Sequence, residues 1–221
     1  MGAYAKLALS QTEEFRNLSP AHQEMERITS LPIIQPLTGD ELLEFNRMFV
    51  DNKAFADGFR LFDIQAQAIE TYINYGGGFF PIGVGWGKTL VSLSIANYAY
   101  KKGLRKILLL VPAQVVNQLT TRDLRWARTK VEICYPVNIV AGLDPIRRRL
   151  MIGGNRPGLY IMSYSLLSAK DAHEVLQGIA PQLIIADETH NLTRKDAART
   201  KRVMEYVKLY KPEGVCLSGT I

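Results

Sequence analysis

Short apolar runs alternate with longer helix-like segments along this chain, from about residue 60 onward. Such runs suit strands that are buried on both faces, and the segments between them are long enough for crossover helices. The alternation predicts an α/β fold, with a parallel sheet, helices on both faces and right-handed crossovers. The predicted strands are 79–82, 106–111, 131–135, 137–140, 159–163, 182–186 and 215–217, and the predicted helices are 65–75, 88–102, 113–128, 145–153, 165–177 and 196–210.

The composition describes a globular chain with a basic body. The 221 residues are 47% hydrophobic and carry a net charge of +6. Residues 1–60 contribute −3 to this charge, and residues 61–221 contribute +9. A basic body suits a polyanionic partner such as nucleic acid, and it equally suits a protein with a mildly basic surface.

Two features that the sequence lacks argue against whole classes of protein. No apolar run approaches the length that spans a bilayer, and residues 1–10 lack the hydrophobic core of a secretory signal. The two cysteines, Cys134 and Cys216, lie far apart and form no Cys-x-x-Cys pair, which argues against a zinc site. We therefore expect a protein of the cytoplasm or nucleoid that has no membrane partner.

The first part of the chain differs from the rest in being acidic. Ser19–Pro20 resembles a helix N-cap with proline at the first helical position, and Thr38–Asp40 precedes an amphipathic stretch over 42–50. We predict an N-terminal helical extension over residues 1–57, followed by the α/β lobe over residues 58–221.

A glycine-rich loop stands between the first predicted strand and the next predicted helix. Its alternating glycines let successive backbone N–H groups turn inward, and the following helix N-terminus adds positive potential. Such a cradle binds phosphates, with Lys88 against the β- and γ-phosphates and the Thr89 hydroxyl group on Mg²⁺. Ile82 stands where the general phosphate-loop pattern has glycine, so an incidental glycine turn is the alternative. The residues expected to hold the nucleotide here are Gly83, Gly85, Trp86, Gly87, Lys88 and Thr89.

Two carboxylates follow the apolar run Leu183–Ala186. Asp187 at a strand end suits Mg²⁺ binding, and the adjacent Glu188 suits alignment and activation of the attacking water. Because the C-terminal ends of parallel strands meet at one edge, we expect this pair beside the glycine-rich loop, with Lys88, Asp187 and Glu188 as catalytic residues. His190 is a candidate sensor of the γ-phosphate, and a bridge to the last strand is its alternative. A helix N-cap, which acidic residues also favour, is the alternative for the pair.

In order and spacing, these motifs resemble those of superfamily 2 helicases and translocases. The resemblance covers residues 58–221, and the Ser-Tyr pair and Ser-Gly-Thr ending lean toward the Swi/Snf-like branch, whose members move along double-stranded DNA. The matching segments are the glutamine-bearing adenine motif (61–69), motif I (83–89), motif Ia (109–118), motif Ib (161–164), motif II of the DExH type (187–190) and motif III (217–220).

The resemblance implies a RecA-like P-loop NTPase lobe that uses ATP and Mg²⁺ and works on nucleic acid, with double-stranded DNA as the expected partner. It further implies that Gln65 reads the adenine edge and that Ser218, Gly219 and Thr220 couple hydrolysis to movement. A second RecA-like lobe, in cis or in trans, would supply arginines for turnover, and none follows motif III in this sequence. A non-catalytic nucleic-acid-binding or partner-docking module on the same scaffold is the alternative. The residues implied to contact nucleic acid are Pro112, Gln114, Asn117, Gln118, Ser163 and Tyr164.

Clusters of basic residues add candidates for contact with a nucleic-acid backbone. For any single cluster, however, the composition favours a solvated helix face. The clusters are Arg122, Arg125 and Arg128 at helical spacing, Arg147–Arg149, and Arg194–Lys195.

Overall fold

The computed structural model of this chain describes residues 35–219, together with Met25. The predictions at Ser19–Pro20 and Thr220 lie outside the described residues. The helices and strands are α1 (Gly39–Phe49), α2 (Asn52–Ala56), α3 (Asp63–Tyr75), β1 (Gly77–Pro81), α4 (Lys88–Lys102), β2 (Lys106–Val111), α5 (Val116–Gln118), α6 (Leu124–Ala127), β3 (Val137–Ile139), α7 (Pro145–Gly153), β4 (Gly158–Ser163), α8 (Ala172–Ile179), β5 (Leu183–Asp187), α9 (Ala198–Tyr210) and β6 (Glu213–Ser218).

The strands of the described residues form one six-stranded sheet in the order β1-β6-β5-β2-β4-β3. Every neighbouring pair is parallel, and the strands are joined by helical crossovers. The α/β architecture predicted from the sequence is therefore confirmed. The order places β1, β6 and β5 side by side, which matters for the site described below.

Each face of the sheet has its own hydrophobic core, because successive side chains of a strand point to opposite faces. Ile107 and Leu109 of β2 pack with residues of α1, α3 and α4 on one face. Leu108 and Leu110 pack with residues of α8 and α9 on the other face. Burial on both faces explains why the central strands read as continuous apolar runs.

Helix α1 lies against the α/β lobe rather than apart from it. Phe45 belongs to the core that includes α3 and α4. The buried side chain of Asn46 accepts a hydrogen bond from the backbone N–H of Leu61 at 2.6 Å and donates one to the Leu42 carbonyl at 2.8 Å. These contacts fix the segment that leads into α3.

The predicted strand over 131–135 is absent, and that prediction is wrong. The backbone N–H of Cys134 donates to Oδ1 of Asn97 at 2.9 Å, and the hydroxyl group of Tyr135 donates to the Leu93 carbonyl at 3.2 Å. Because both acceptors belong to α4, this segment packs on a helix, and its strand pairing is limited to one isolated bridge.

Two helices predicted to be continuous are interrupted. The stretch 113–128 contains a 3₁₀ turn, α5, a π-helical turn at Leu119–Asp123 and α6, and the stretch 165–177 contains a 3₁₀ turn before α8. In the first stretch, the hydroxyl group of Thr120 donates to the carbonyl of residue 116 at 2.9 Å, and that of Thr121 donates to the carbonyl of residue 117 at 2.7 Å. Such bonds from side chains to the preceding turn distort helices.

Candidate active site

Three neighbouring strands bring the predicted motifs to one edge of the sheet. Pro81 at the end of β1 is in register with Ser218 of β6, and Asp187 of β5 is in register with Leu217. The glycine-rich loop, the carboxylate pair and Gly219 therefore follow adjacent strands at their C-terminal ends. This is the edge at which open parallel sheets bind ligands.

The glycine-rich loop needs glycine at Gly85 and Gly87 for its shape. Their φ values are +83° and +73°, in the left-handed region that residues with a Cβ rarely adopt. A Cβ on Gly87 would also lie 2.4 Å from Nε2 of Gln65. The loop leads directly into the fifteen-residue helix α4, whose N-terminal N–H groups favour an anion.

Lys88 joins the loop to the carboxylate pair. Its Nζ lies 3.0 Å from Oε1 of Glu188, and the two side chains are 10% and 25% exposed. The same Nζ lies 3.3 Å from the Ile82 carbonyl and 3.5 Å from the Gly83 carbonyl. The glycine-rich loop and the carboxylates therefore share one cleft, and an anion bound there would compete with Glu188 for this ammonium group.

Asp187 carries the chemistry expected of a metal ligand. Its Oδ1 is buried and has no hydrogen-bond partner among the described residues. Burial, together with the nearby charge of Glu188, raises the pKa of Asp187 to about 6, although Lys88 opposes the shift. A cation would satisfy this oxygen and favour the ionised form.

The side chains around Asp187 suit Mg²⁺, which substrate phosphates help to bind, better than a cation that protein side chains alone would bind. Thr89, Asp187 and Glu188 line a cleft of about 450 Å³. Within the described residues, no three His, Cys, Asp or Glu side chains are grouped as a metal cage. Mg²⁺ is commonly held by one or two carboxylates together with substrate phosphates, so these residues fit that ion.

Glu188 and His190 form the rest of the carboxylate side. Glu188 has φ +58° and ψ +58°, a left-handed conformation that costs an L-residue about 1–2 kcal/mol. Its Oε2 lies 3.4 Å from Nδ1 of His190, whose side chain is half-exposed. The hydroxyl group of Thr189 donates to the carbonyls of Ala186 at 2.9 Å and Leu217 at 3.1 Å, which ties this turn to β6.

Gln65 lies behind the loop, with both ends of its amide bound to backbone. It is 4% exposed, its Nε2 donates to the Trp86 carbonyl at 2.9 Å, and its Oε1 accepts from the Phe62 N–H at 3.0 Å. Beside it is an apolar hollow lined by Phe62, Ile64 and Trp86, with the two aromatic rings edge to face. Sequence reasoning missed Phe62 and Ile64, although two apolar residues beside the motif glutamine are a usable signal.

The residues predicted to contact nucleic acid do not form one surface. Gln114 and Asn117 are exposed at the turn after β2. Pro112 and Gln118 line the cleft that also contains Asp187 and Glu188, and Nε2 of Gln118 donates to Asp123 at 3.0 Å.

The two predicted residues of motif Ib are buried, as Pro112 is, whereas Gln114, Asn117 and Gln118 are exposed. Ser163 is 6% exposed, and its hydroxyl group lies 2.9 Å from that of Ser165. Tyr164 is 2% exposed, and its hydroxyl group donates to the Asp187 carbonyl at 2.8 Å.

Arg148 is not available to a nucleic-acid backbone. It is 8% exposed, and its Nε lies 3.0 Å from Oδ2 of Asp171. Its neighbours Arg147 and Arg149 are exposed, as are Arg122, Arg125 and Arg128. The basic clusters therefore contribute outward-facing charge at most of their positions, but one central arginine is structural.

Gly219 lies close to the glycine-rich loop and to Lys88. A Cβ at this position would lie 3.3 Å from Nζ of Lys88 and 3.3 Å from the backbone nitrogen of Val84. The preceding Ser218 is 1% exposed at the end of β6. Motif III is thus in direct reach of the ammonium group that pairs with Glu188.

The parallel sheet, with the glycine-rich loop and the carboxylate pair at one edge, is a RecA-like α/β fold that solved helicase structures share. The family described as "Type III restriction enzyme, res subunit" matches residues 58–221, and the chain belongs to this family. No curated protein matches the chain by sequence.

Solved helicase structures share the fold at low sequence identity. The UvsW helicase of bacteriophage T4 is 15% identical over 92% of this chain and 61% of its own, with a TM-score of 0.54. The SWI2/SNF2 ATPase core of Sulfolobus solfataricus, solved in complex with dsDNA, is 18% identical over 74% of this chain and 32% of its own, with a TM-score of 0.56.

A restriction enzyme gives a similar match. A nuclease-deletion mutant of the Type ISP restriction-modification enzyme LlaGI, solved with a DNA substrate mimic, is 19% identical over 73% of this chain and 18% of its own, with a TM-score of 0.50. The chain thus spans between about a fifth and about three fifths of these proteins. Among the described residues, none of the helices has the length and apolar character to cross a bilayer.

Proposed function

We propose that this chain binds Mg-ATP at the glycine-rich loop and is the ATP-hydrolysing lobe of a DNA-dependent helicase or translocase of the DExH type. One observation carries the proposal. Lys88 of the loop lies 3.0 Å from Glu188, next to the buried and unpartnered Oδ1 of Asp187. A triphosphate and a divalent cation would satisfy all of these groups at once.

The proposed roles follow from where the groups lie. Backbone N–H groups of Gly83–Thr89 and the ammonium group of Lys88 bind the triphosphate, and the adenine occupies the apolar hollow beside Phe62 and Trp86. Gln65 remains a candidate for the adenine edge, and its hydrogen bond to the Trp86 carbonyl gives it a second role in shaping the loop. Thr89 and Asp187 would hold Mg²⁺, which when bound neutralises charge on the β- and γ-phosphates.

Hydrolysis would use the carboxylate that Lys88 now neutralises. When Lys88 turns to the phosphates, Glu188 is released from its ion pair and can align a water molecule and accept its proton. His190, 3.4 Å from Glu188, is placed to orient that carboxylate or to contact the γ-phosphate. Gly219, which touches both Lys88 and the loop, and the adjacent Ser218 and Thr220 are the proposed coupling residues.

The proposed partner is double-stranded DNA, and the proposed branch is the Swi/Snf-like one. The exposed Gln114 and Asn117 and the outward-facing arginines at 122, 125 and 128 support a backbone contact. Similar structures were solved with dsDNA and with a DNA substrate mimic, which supports the same partner. We propose further that turnover needs a second RecA-like lobe, in cis or in trans, to supply arginine to the transferring phosphoryl group.

The test is to measure nucleotide binding and ATP hydrolysis with and without duplex DNA. Lys88→Ala should lower nucleotide affinity by about tenfold or more, because it removes the charge against the phosphates. Lys101→Ala, in the last turn of the same helix and paired with Glu132 at the surface, is the matched control and should bind as the wild type does. Equal binding by wild type and Lys88→Ala would contradict the proposal and favour a non-catalytic docking module.

A further inference from the structure

Glu188 is the strained point of the proposed active site. Its backbone has φ +58° and ψ +58°, which a residue with a side chain adopts only where its surroundings hold it. Because Glu188 directly follows the last residue of β5, this conformation decides where its carboxylate lies relative to Lys88. The contacts that hold the backbone therefore also hold the proposed catalytic carboxylate.

Hydrogen bonds fix the chain on both sides of Glu188. Its own carbonyl accepts from the backbone N–H of Asn191 at 3.0 Å and from the side-chain amide of Asn191 at 2.9 Å. The carbonyl before it, that of Asp187, accepts from the hydroxyl group of Tyr164 at 2.8 Å. The Asp187–Glu188 peptide group is thus held by the hydroxyl group of Tyr164, a residue that directly follows another strand, β4.

Tyr164 reaches this peptide group across the end of a neighbouring strand. It follows β4, and the sheet order β5-β2-β4 places β2 between it and Asp187. Its backbone N–H donates to the carbonyl of Val111, the last residue of β2, at 3.0 Å, and its ring is 2% exposed. Through its backbone N–H and its hydroxyl group, one buried residue therefore joins the C-terminal ends of three adjacent strands.

From this geometry we infer that Tyr164 is a positioning residue, whose hydroxyl group sets the Asp187–Glu188 peptide and thereby the carboxylate of Glu188. The inference rests on the proposed function, since it concerns the carboxylate proposed to activate water. Tyr164 would act through Glu188 rather than by touching nucleic acid. A displacement at the ends of β2 or β4, where Pro112 and Ser163 lie, would reach Glu188 through this ring.

The hydrogen bond from Tyr164 to the Asp187 carbonyl can be tested by removing only the hydroxyl group of Tyr164. Tyr164→Phe keeps the buried ring and deletes the donor to Asp187. Tyr160→Phe is the matched control, because Tyr160 is a buried tyrosine of β4 and its hydroxyl group also donates to a backbone carbonyl, that of Arg156. Its hydrogen bond lies at the opposite end of β4, away from Glu188.

Two measurements test the inference, and only one of them needs turnover. In Tyr164→Phe we expect amide hydrogen exchange over residues 188–191 to accelerate about fivefold or more. With a second RecA-like lobe and duplex DNA supplied, we expect kcat for Mg-ATP to fall about tenfold with KM within about twofold. Tyr160→Phe should change neither quantity. The inference would be overturned if Tyr164→Phe exchanged its amide hydrogens over 188–191 at the wild-type rate, or if its kcat were unchanged despite faster exchange. It would also be overturned if Tyr160→Phe had the same effects as Tyr164→Phe. If the wild type binds Mg-ATP no more tightly than Lys88→Ala, the proposed function fails instead, and the exchange comparison still decides whether Tyr164 holds this turn.

Discussion

At the scale of single residues, Asp187 suits metal binding, but its buried carboxylate lowers the stability of the metal-free protein when it is ionised. Burial raises its pKa to about 6, so between the unfolded-state pKa and about pH 6 the folded protein holds a proton that the unfolded chain releases. The contribution of this group to stability is therefore complete at low pH and is lost as the pH rises through about 6. Above that pH the ionised form is a net cost that a metal ion would offset.

Asp187→Asn should stabilise the metal-free protein near neutral pH while abolishing Mg²⁺-dependent hydrolysis. The amide avoids the buried charge, so unfolding in urea at about pH 7.5 should cost about 1–3 kcal/mol more than for the wild type. At about pH 4.5 the two proteins should differ much less, because the wild-type carboxyl is then largely protonated. Asp196→Asn at an exposed position is the control. A lower stability of Asp187→Asn at neutral pH would show that the carboxylate already has a partner.

Gly87 is the residue at which the loop tolerates a side chain least. It combines a positive φ with the approach of Gln65, whereas Gly103 at the other end of α4 has φ +112° and open space where a Cβ would lie. Gly87→Ala should lower nucleotide affinity about tenfold or more, as measured by titration with a fluorescent nucleotide. Gly103→Ala carries only the backbone strain and should bind nucleotide as the wild type does. Equal affinities of the two variants would contradict the proposed cradle.

At the scale of elements, the ion pair between α7 and the start of α8 is structural. Arg148 and Asp171 are 10% and 14% exposed, whereas the next arginine, Arg149, pairs with Glu174 at a surface where both are about two-thirds exposed. Arg148→Met leaves a buried carboxylate unpaired and should destabilise the protein by about 3–5 kcal/mol in urea unfolding. Arg149→Met should cost no more than about 1 kcal/mol. If Arg148→Met and Arg149→Met lowered the free energy of unfolding equally, the structural role of the Arg148–Asp171 pair would be contradicted.

Sequence patterns predicted well the helices and strands whose secondary structure follows from the burial of their apolar side chains. The run Lys106–Val111 is apolar on both faces, and it is β2. The run 131–135 has similar apolar residues, but its backbone and side-chain donors find acceptors on α4, a contact between distant segments that no local pattern contains. The threonines at 120 and 121 likewise interrupt a helix through their own hydroxyl groups, which hydrophobic periodicity does not register.

At the scale of the whole molecule, the convergence of the site could be predicted because parallel strands end at one edge. That rule places Lys88 and Glu188 at the same edge, and the strand order β1-β6-β5 then brings their side chains to 3.0 Å of each other. The burial of Tyr164 and its reach to Asp187 depend on the order β5-β2-β4, which the sequence pattern does not specify. Gln114 is exposed and Ser163 is buried, although the two motifs lie at the ends of adjacent strands, and the sequence pattern does not predict this difference.

A crystal structure of the chain with Mg²⁺ and a non-hydrolysable ATP analogue tests the central claim most directly. We predict the triphosphate on the backbone N–H groups of Gly83–Thr89, the metal ion between Thr89 and Asp187, and Lys88 moved from Glu188 to the phosphates. A nucleotide bound elsewhere, or one bound while Lys88 keeps its 3.0 Å contact with Glu188, would contradict it.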